Sequence, residues 1–517
     1  MKSTAEPLPS DPQQLQQMVL ALQEKLTLKD DQLQEKDQRI NYLLEQFRLA
    51  QQRHFGQSSE SADQLGLFNE AEALKAEAEQ DAPEQESISY TRNKPTRKPL
   101  PKDLPRERLI HDLDEADKVC DCCGHDLHCM GEEQSEQLEF IPASIKVIEH
   151  IRPKYSCRYC EQQGIESQIK IAPMPSQPIP KSIATASLLS QIITSKYQYA
   201  LPLYRQETLF KQYGIELNRK SMAEWMIKSS HLLEGIYQRL KTIQLKQAVI
   251  HADETPLKVI HEDKSRCYMW VYCTGTDSPR DHDTEDVIPN IVLYDYQNSR
   301  AGQCPIDYLQ GFTQYLQVDG YAGYEQTAAR LVGCWAHARR KFVDAQKIQP
   351  KGKTGKADRA ISLIAKLYRI ETDIKALEPT QKQAERELRA QPLLDEFKEW
   401  LDQSALQVPP KSAVGKAIAY SLRQWPKLIR YVEDGRINID NNRAERAIKP
   451  FVIGRKNWLF SNTAKGAQAS AILYSLIETA KANGLIPFDY LKALLEELPR
   501  QPDKIDQLLP WYIKTPE

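Results

Sequence analysis

The sequence predicts a multidomain α/β protein: a mixed-sheet domain carrying a helical insertion, preceded by a coiled coil, a small cysteine-bearing unit and a helical region. Three observations lead there. At 517 residues the chain exceeds what one hydrophobic core supports. A heptad pattern and a doubled C-x-x-C occupy its first third. Between residues 248 and 335, five short β-rich runs come first in quick succession and then alternate with helical stretches.

Residues 1–55 open the chain. Val19, Leu26, Leu33, Ile40 and Phe47 recur every seven residues, and Leu15, Leu22 and Leu43 fill the companion seam, which Lys29 and Lys36 interrupt. That is the pattern of a leucine-zipper-like helix, and the surrounding Gln, Glu, Asp and Lys leave it little to pack on except another copy, so a homo-oligomer is expected. Residues 56–110 read as a charged linker. The formal charge of −2 conceals nine acidic side chains and one lysine over residues 60–86, followed by seven basic and two acidic ones over residues 91–108. Apolar residues near the N-terminus are broken by glutamines and charges, unlike a secretory signal, and no apolar run approaches a bilayer's thickness. A cytosolic protein with no membrane partner is expected, its ten cysteines serving as thiols or metal ligands.

Residues 111–175 hold two knuckles, Cys120-x-x-Cys123 and Cys157-x-x-Cys160, separated by 33 residues. Four thiolates suit one structural Zn²⁺ in a closed tetrahedral site. Cys122, His125 and Cys129 are surplus ligands nearby, so the set stays open. Residues 137–151 alternate as strands do, and four prolines over 171–180 mark a boundary. Residues 176–245 read as helices: Thr185 to Ser195, Leu203 to Tyr213, a turn at Gly214, and Ser221 to Leu240. The last two, with their turn, fit either a DNA-reading helix-turn-helix or an ordinary helical connector.

Residues 246–482 form the next unit, and 483–517 a C-terminal segment. Ala248–Ala252, Cys267–Cys273, Asn290–Asp295, Tyr315–Val318 and Leu331–Trp335 are the predicted strands. Their order describes a mixed sheet of the ribonuclease H type, interrupted at about 345–435 by a charged helical insertion with Trp400 and Trp425 as packing anchors. Asp253 leaves the first strand and Asp319 the fourth, which sets them side by side. Asp440-Asn441-Asn442 caps a helix from about Arg443, with Glu445 in its first turn. An isolated aspartate at a strand end is ordinarily a turn or cap residue. Two strand-end aspartates and a helical glutamate, however, suit a pair of divalent cations clamping the oxygens of an in-line phosphoryl displacement. Arg436, Arg443, Arg446, Lys449, Arg455, Lys456 and Lys465 surround Glu445, a neighbourhood suited to a polyanion.

Long motifs run in one order along the chain: Arg53-His54-Phe55-Gly56, Arg152-Pro153-Lys154-Tyr155, Leu201-Pro202-Leu203-Tyr204-Arg205-Gln206-Glu207, His251-Ala252-Asp253-Glu254-Thr255-Pro256, Asp319-Gly320-Tyr321-Ala322-Gly323-Tyr324, Cys334-Trp335-Ala336-His337-Ala338-Arg339-Arg340, Ile439-Asp440-Asn441-Asn442, Gly454-Arg455-Lys456-Asn457-Trp458 and Leu508-Leu509-Pro510-Trp511. With the zipper and knuckles, they make the chain resemble the insertion-sequence transposases of the "sixty-six" family nearly end to end. The extra Cys122 within the first knuckle is a local departure.

The resemblance implies that Asp253, Asp319 and Glu445 are the acidic triad of a DDE transposase holding two catalytic Mg²⁺ ions, and that the insertion is a family trait. It implies cleavage at transposon ends to free a 3′-hydroxyl, then attack of that hydroxyl on target DNA. His337, Arg339, Arg340, Arg443, Arg446, Arg455 and Lys456 are the candidate phosphate-binding residues, although His337 also fits an ordinary helix histidine. Accessory proteins of the same element and a bacterial cytoplasmic setting, nucleoid-associated on DNA, are further implications. Two other classes fit parts of the sequence: a zinc-containing DNA-binding regulator without catalysis, and a metal-dependent nuclease or resolvase of the same fold.

Overall fold

The computed structural model describes residues 11–55, 145–156, 163, 169–264, 266–276, 288–349, 355–500 and 505–513. The chain separates into two compact units, residues 83–172 and the remainder. In the smaller unit, β1 (Lys154–Tyr155) pairs antiparallel with β2 (Lys170–Ile171). Cys120, Cys122, Cys123, His125, Cys129, Cys157 and Cys160 lie outside the described residues. Helix α1 runs from Pro12 to Phe55. Its heptad residues Val19, Leu22, Leu26, Leu33, Ile40 and Leu43 all stand more than half exposed. No described helix is long and apolar enough to cross a membrane.

The larger unit begins with three helices whose ends are set by local chemistry. Thr185 caps α2 (Ala186–Tyr197) by accepting from the Leu188 N–H, and Asn218 caps α4 (Arg219–Gln244) by accepting from Lys220 and Ser221. Between them lies α3 (Leu203–Gln212), which ends in a turn where Gly214 takes φ +75°, open to glycine without strain.

A five-stranded sheet follows, built from β3 (Val249–Leu257), β4 (Cys267–Thr274), β5 (Ile291–Gln297), β6 (Tyr315–Gln317) and β7 (Arg330–Val332), in the spatial order β5-β4-β3-β6-β7. The first three strands pair antiparallel; β6 joins β3 in parallel and β7 joins β6 in parallel. Strand periodicity divides β4 between two cores. Cys267, Met269, Val271 and Cys273 face one, with α12 (Ala464–Ala482), whereas Trp270 and Tyr272 face the other, where Tyr272 stacks on Tyr308 of α5 (Gln303–Tyr308) at 3.7 Å. Helix α12 also covers the outer edge of β5. Thr479 Oγ1 accepts from the Val292 N–H and donates to its carbonyl, and Ser475 Oγ accepts from Tyr294 N, so side chains satisfy backbone groups a further strand would have paired. α13 (Pro487–Glu497) completes this layer.

After β7, α6 (Trp335–Gln346) leads into α7 (Lys356–Asp373), α8 (Pro379–Glu385), a π-turn at Arg386–Ala390, α9 (Gln391–Gln407) and α10 (Ala413–Leu428). They enclose a third core, where Phe397 contacts Trp335, Trp400 and Trp425 with ring centroids 5.7–6.0 Å apart. The chain then returns in α11 (Asn442–Trp458).

Three local readings of the sequence need correction. Strand β3 continues through Asp253 to Leu257, because β4 pairs with it that far; β6 stops at His251, so Pro256 lies beyond the parallel pairing, where its missing N–H is tolerated. Trp335 opens a helix instead of ending a strand, and its N–H goes to the Ile439 carbonyl at 3.2 Å. At the start of α11 the side-chain cap is Asp440, which accepts from Asn442 N at 3.1 Å, because the Asn441 amide is turned into the protein.

Arg386 anchors the insertion to the segment leading into α11. Its guanidinium is buried, pairs through two nitrogens with Glu371 at 2.8 and 2.6 Å, and donates to the carbonyls of Tyr431, Asp434 and Ile437. Arg386→Ala is expected to destabilise the fold by about 3–5 kcal/mol, because Glu371 and three carbonyls lose their partner together. Urea unfolding followed by tryptophan fluorescence checks this, and a change below about 1 kcal/mol would contradict the anchoring role.

Candidate active site

The parallel register of β3 and β6 sets the geometry. His251 stands opposite Gln317, and Asp253 and Asp319 are the residues two positions further along each strand. Side chains two apart share a sheet face, so both carboxylates fall on the side occupied by His251 and Gln317. Pairing ends before they are reached, and Gly320, at φ +100°, turns the chain away immediately after Asp319. Tyr321 N–H and Tyr420 O–H fix that turn, donating to the Asp319 carboxylate and carbonyl at 2.9 Å each.

Glu445 lies in the first turn of α11. Burial raises the Asp253 pKa well above the ordinary carboxylate value, and the charges of Glu254, Asp319 and Glu445 raise it further. The charges of Asp319, on the strand next to β3, and of Glu445, on a helix, thus both act on Asp253, and carboxylate oxygens are the donors that hard divalent cations take.

The elements carrying these groups are tied together. Asn441, fully buried, donates from Nδ2 to the Ala252 carbonyl at 2.8 Å and presents Oδ1 to His251 Nδ1 at 3.2 Å. Gln317 donates to the Asn438 carbonyl at 2.6 Å, and Asn441 N–H meets Cys334 Sγ at 3.2 Å. On the opposite sheet face, Glu254 accepts from Tyr324 O–H and Arg300, both at 2.8 Å, while the Arg300 guanidinium lies 3.9 Å from the Tyr321 ring centre. This clasp links the strand bearing Asp253 to the turn after Asp319. Burial and then the Asp319 charge raise the Glu254 pKa, and its two hydrogen-bond donors oppose them.

The candidate phosphate-binding residues fall into two groups. His337 and Arg340, one turn apart on α6, face Glu445 with Nδ1–Oε1 and Nη2–Oε2 separations of 3.5 and 3.8 Å. Burial, then Arg340 beside it, brings the His337 pKa down to about 4, against the opposing charge of Asp319. Arg446 and Lys456 are exposed on α11. In contrast, Arg443 is buried and donates to the Thr274 carbonyl at 3.2 Å, Arg339 is buried and acts electrostatically on Tyr368, and Arg455 donates to Thr255 Oγ1 at 3.1 Å and to the Pro256 carbonyl. Arg443 and Arg455 thus tie α11 to β4 and β3. Sequence reasoning missed Glu254, Arg300, Tyr324, Asn441 and Cys334 as parts of the site. The spacing of Cys334 and His337, one helical turn, was the signal that pointed to one of them.

Comparison with known proteins identifies the family. Residues 181–469, more than half of the chain, match the family described as "Transposase IS66 family"; residues 117–161 match the zinc-finger binding domain of transposase IS66, 475–511 the IS66 C-terminal element, and 42–109 "Transposase C of IS166 homeodomain". The class is thus that of DNA transposases with a zinc finger, and within it the chain belongs to the IS66 family. Protein y4jD of Sinorhizobium fredii is 34% identical over 434 residues, covering 80% of this chain and 82% of its own, and y4hP of the same organism is 31% identical over 446 residues, covering 82% and 78%. Both are described as uncharacterized. No solved structure matches the chain.

Removal of the Asn441 amide tests the tie between α11 and β3. Asn441→Ala is expected to cost roughly 1–3 kcal/mol, because the buried Ala252 carbonyl loses its donor. Urea titration measures the loss, and an unchanged midpoint would show that the tie carries no energy.

Proposed function

We propose that the protein is a metal-dependent DDE transposase whose sheet is of the ribonuclease H type and which cleaves transposon ends and joins the freed 3′-hydroxyl to target DNA. One observation supports the reading: the charges of Asp319 and Glu445, from distant segments, both act on Asp253, and Glu445 lies beside His337 and Arg340 of a basic helix. The strand order, with three antiparallel strands followed by two parallel ones, supports the fold assignment.

In this reading Asp253 and Asp319 jointly hold two Mg²⁺ ions, and Glu445 completes the ligands of one. Such ions would supply Lewis acidity for activating the attacking hydroxyl or water and for neutralising charge on the departing oxygen. The chain's own contribution is position. The Asn441 tie and the Glu254 clasp fix the carboxylates before DNA arrives, so the ligands need little reorganisation. Arg340 and His337 steady the phosphate next to Glu445, and Arg446 and Lys456, exposed on α11, contact the backbone further along. Arg339, Arg443 and Arg455 act by holding the protein around them.

Family membership and the heptad pattern support the remaining assignments. Cys120, Cys123, Cys157 and Cys160 hold one structural Zn²⁺, and the exposed heptad seam of α1 pairs two or more copies as a coiled coil. The helices from 176 to 245 add contacts with DNA.

Two experiments test this. With labelled transposon ends, target plasmid and Mg²⁺, the native chain is expected to yield cut and joined products. Asp253→Asn, Asp319→Asn and Glu445→Gln should each reduce cleavage at least about 10³-fold while a gel-shift assay shows end binding retained. Cleavage persisting in all three would remove the assignment, and cut ends that never join would make the protein a nuclease. In the second experiment, sedimentation of the full chain should report a dimer or larger species. The double change Leu26→Lys and Leu33→Lys is expected to shift it to monomer, and an unaltered profile would place the association elsewhere.

A further inference from the structure

Cys334, His337 and Glu445 present one sulfur, one nitrogen and one oxygen donor, all within 4.8 Å of one another. Cys334 is the N-cap of α6, His337 lies in that helix's first turn, and Glu445 lies in the first turn of α11. We propose that these three side chains form a binding site for a thiophilic divalent cation of the Zn²⁺ class, different in donor chemistry from the oxygen-only position offered by Asp253 and Asp319.

The geometry is that of a chelate before its ion arrives. Two donors bonded to zinc at about 2.0–2.2 Å across a tetrahedral angle stand about 3.4 Å apart. His337 Nδ1 and Glu445 Oε1 are separated by 3.5 Å. His337 Nδ1 is a buried atom with no hydrogen-bond partner among the described residues, whereas buried ring nitrogens are ordinarily paired. The supports are also present. The Trp335 N–H bond to the Ile439 carbonyl brings the two helix starts together, and the Asn441 N–H directed at Cys334 Sγ stabilises a thiolate from the second shell.

On binding, the Cys334 thiol releases one proton to solvent, and thiolate and carboxylate together balance the charge of a dication. Sulfur and imidazole favour zinc or cobalt over Mg²⁺, whose preference is for oxygen. Three protein donors leave a fourth position for water or a phosphate oxygen, as in zinc sites that take part in chemistry. The proposal shares Glu445 with the transposase reading, yet concerns ion binding alone and does not require that DNA be cut.

Cobalt is the probe. The full-length chain, freed of metal and reloaded with Co²⁺, is compared with Cys334→Ser, His337→Gln and Asp253→Asn, each verified as folded by circular dichroism. The native chain is expected to hold one more Co²⁺ than either Cys334→Ser or His337→Gln by elemental analysis. Cys334→Ser should also lose part of the sulfur-to-cobalt charge-transfer absorption, Asp253→Asn should keep the extra ion, and excess Mg²⁺ should not displace it. Equal cobalt content and spectra in the native chain and in whichever of the Cys334 and His337 variants folds would overturn the proposal. So would loss of the extra ion in Asp253→Asn, which would assign it to the carboxylates. Failure of DNA cleavage leaves the cobalt count unaltered, so the two readings fail separately.

Discussion

The parallel contact between β3 and β6 is the constraint on which the site depends. It involves only the pairs Val249 with Tyr315, Ile250 with Leu316 and His251 with Gln317. Because side chains alternate across a sheet, a slip of one residue would turn Asp319 to the face that Val318 and Leu316 occupy, among Trp270, Tyr272 and Tyr308. The apolar residues around these positions therefore enforce the register that the carboxylates need. Ile250, Ala252, Leu316 and Val318 are all fully buried on one face, which a slip of one residue would turn outward.

Concentrating acidic groups in this way opposes folding. Each carboxylate raises the cost of ionising its neighbours, and burial adds to it, as the Asp253 and Glu254 shifts show. The surroundings offset part of that cost without neutralising the centre. Arg300 is committed to Glu254 on the far face, and Arg340 stands 3.8 Å from Glu445, beyond hydrogen-bond distance. The Asn441 and Tyr324 ties are short and neutral, so they hold the backbone and the clasp in place while adding no charge that would compete with a cation. A fold arranged this way holds its acidic groups together at some expense of its own stability.

Much of this was legible in the sequence because it is local. Thr185 and Asn218 act as caps through hydrogen bonds to residues two or three positions on, and the alternation in Cys267–Cys273 follows from backbone geometry. Gly320 beside Asp319 marked a turn for the same reason. What could not be read depends on distance along the chain. Strand β3 outruns its apolar segment because β4 continues to pair with it. Asn441 reads as a helix cap, yet its amide faces a strand 189 residues away, and Glu254 finds Tyr324 across 70 residues. Cys334 reads as an ordinary buried thiol until Asn441 and Glu445 are brought beside it. The heptad seam and the cysteine knuckles are legible as patterns, and the knuckle cysteines lie outside the described residues.

The insertion explains how so remote a glutamate can be positioned reliably. Helices α7 to α10 separate α6 from α11 in sequence, but the bond from Trp335 N–H to the Ile439 carbonyl and the one from Asn441 N–H to Cys334 Sγ bring the two ends of that excursion into contact. An excursion whose ends already touch adds only the slowly growing entropy of closing a longer loop, and its internal packing need not alter the geometry at its base. Arg386 reinforces the return path by holding the carbonyls of Tyr431, Asp434 and Ile437 just before α11 begins. Glu445 is thus located by a few bonds at the neck of the insertion, whereas the helices above that neck are free to differ in length and surface. The joined ends locate the start of α11, and the insertion also touches the site directly, through Tyr420 of α10 on the Asp319 carbonyl and Tyr368 of α7 on Asp440.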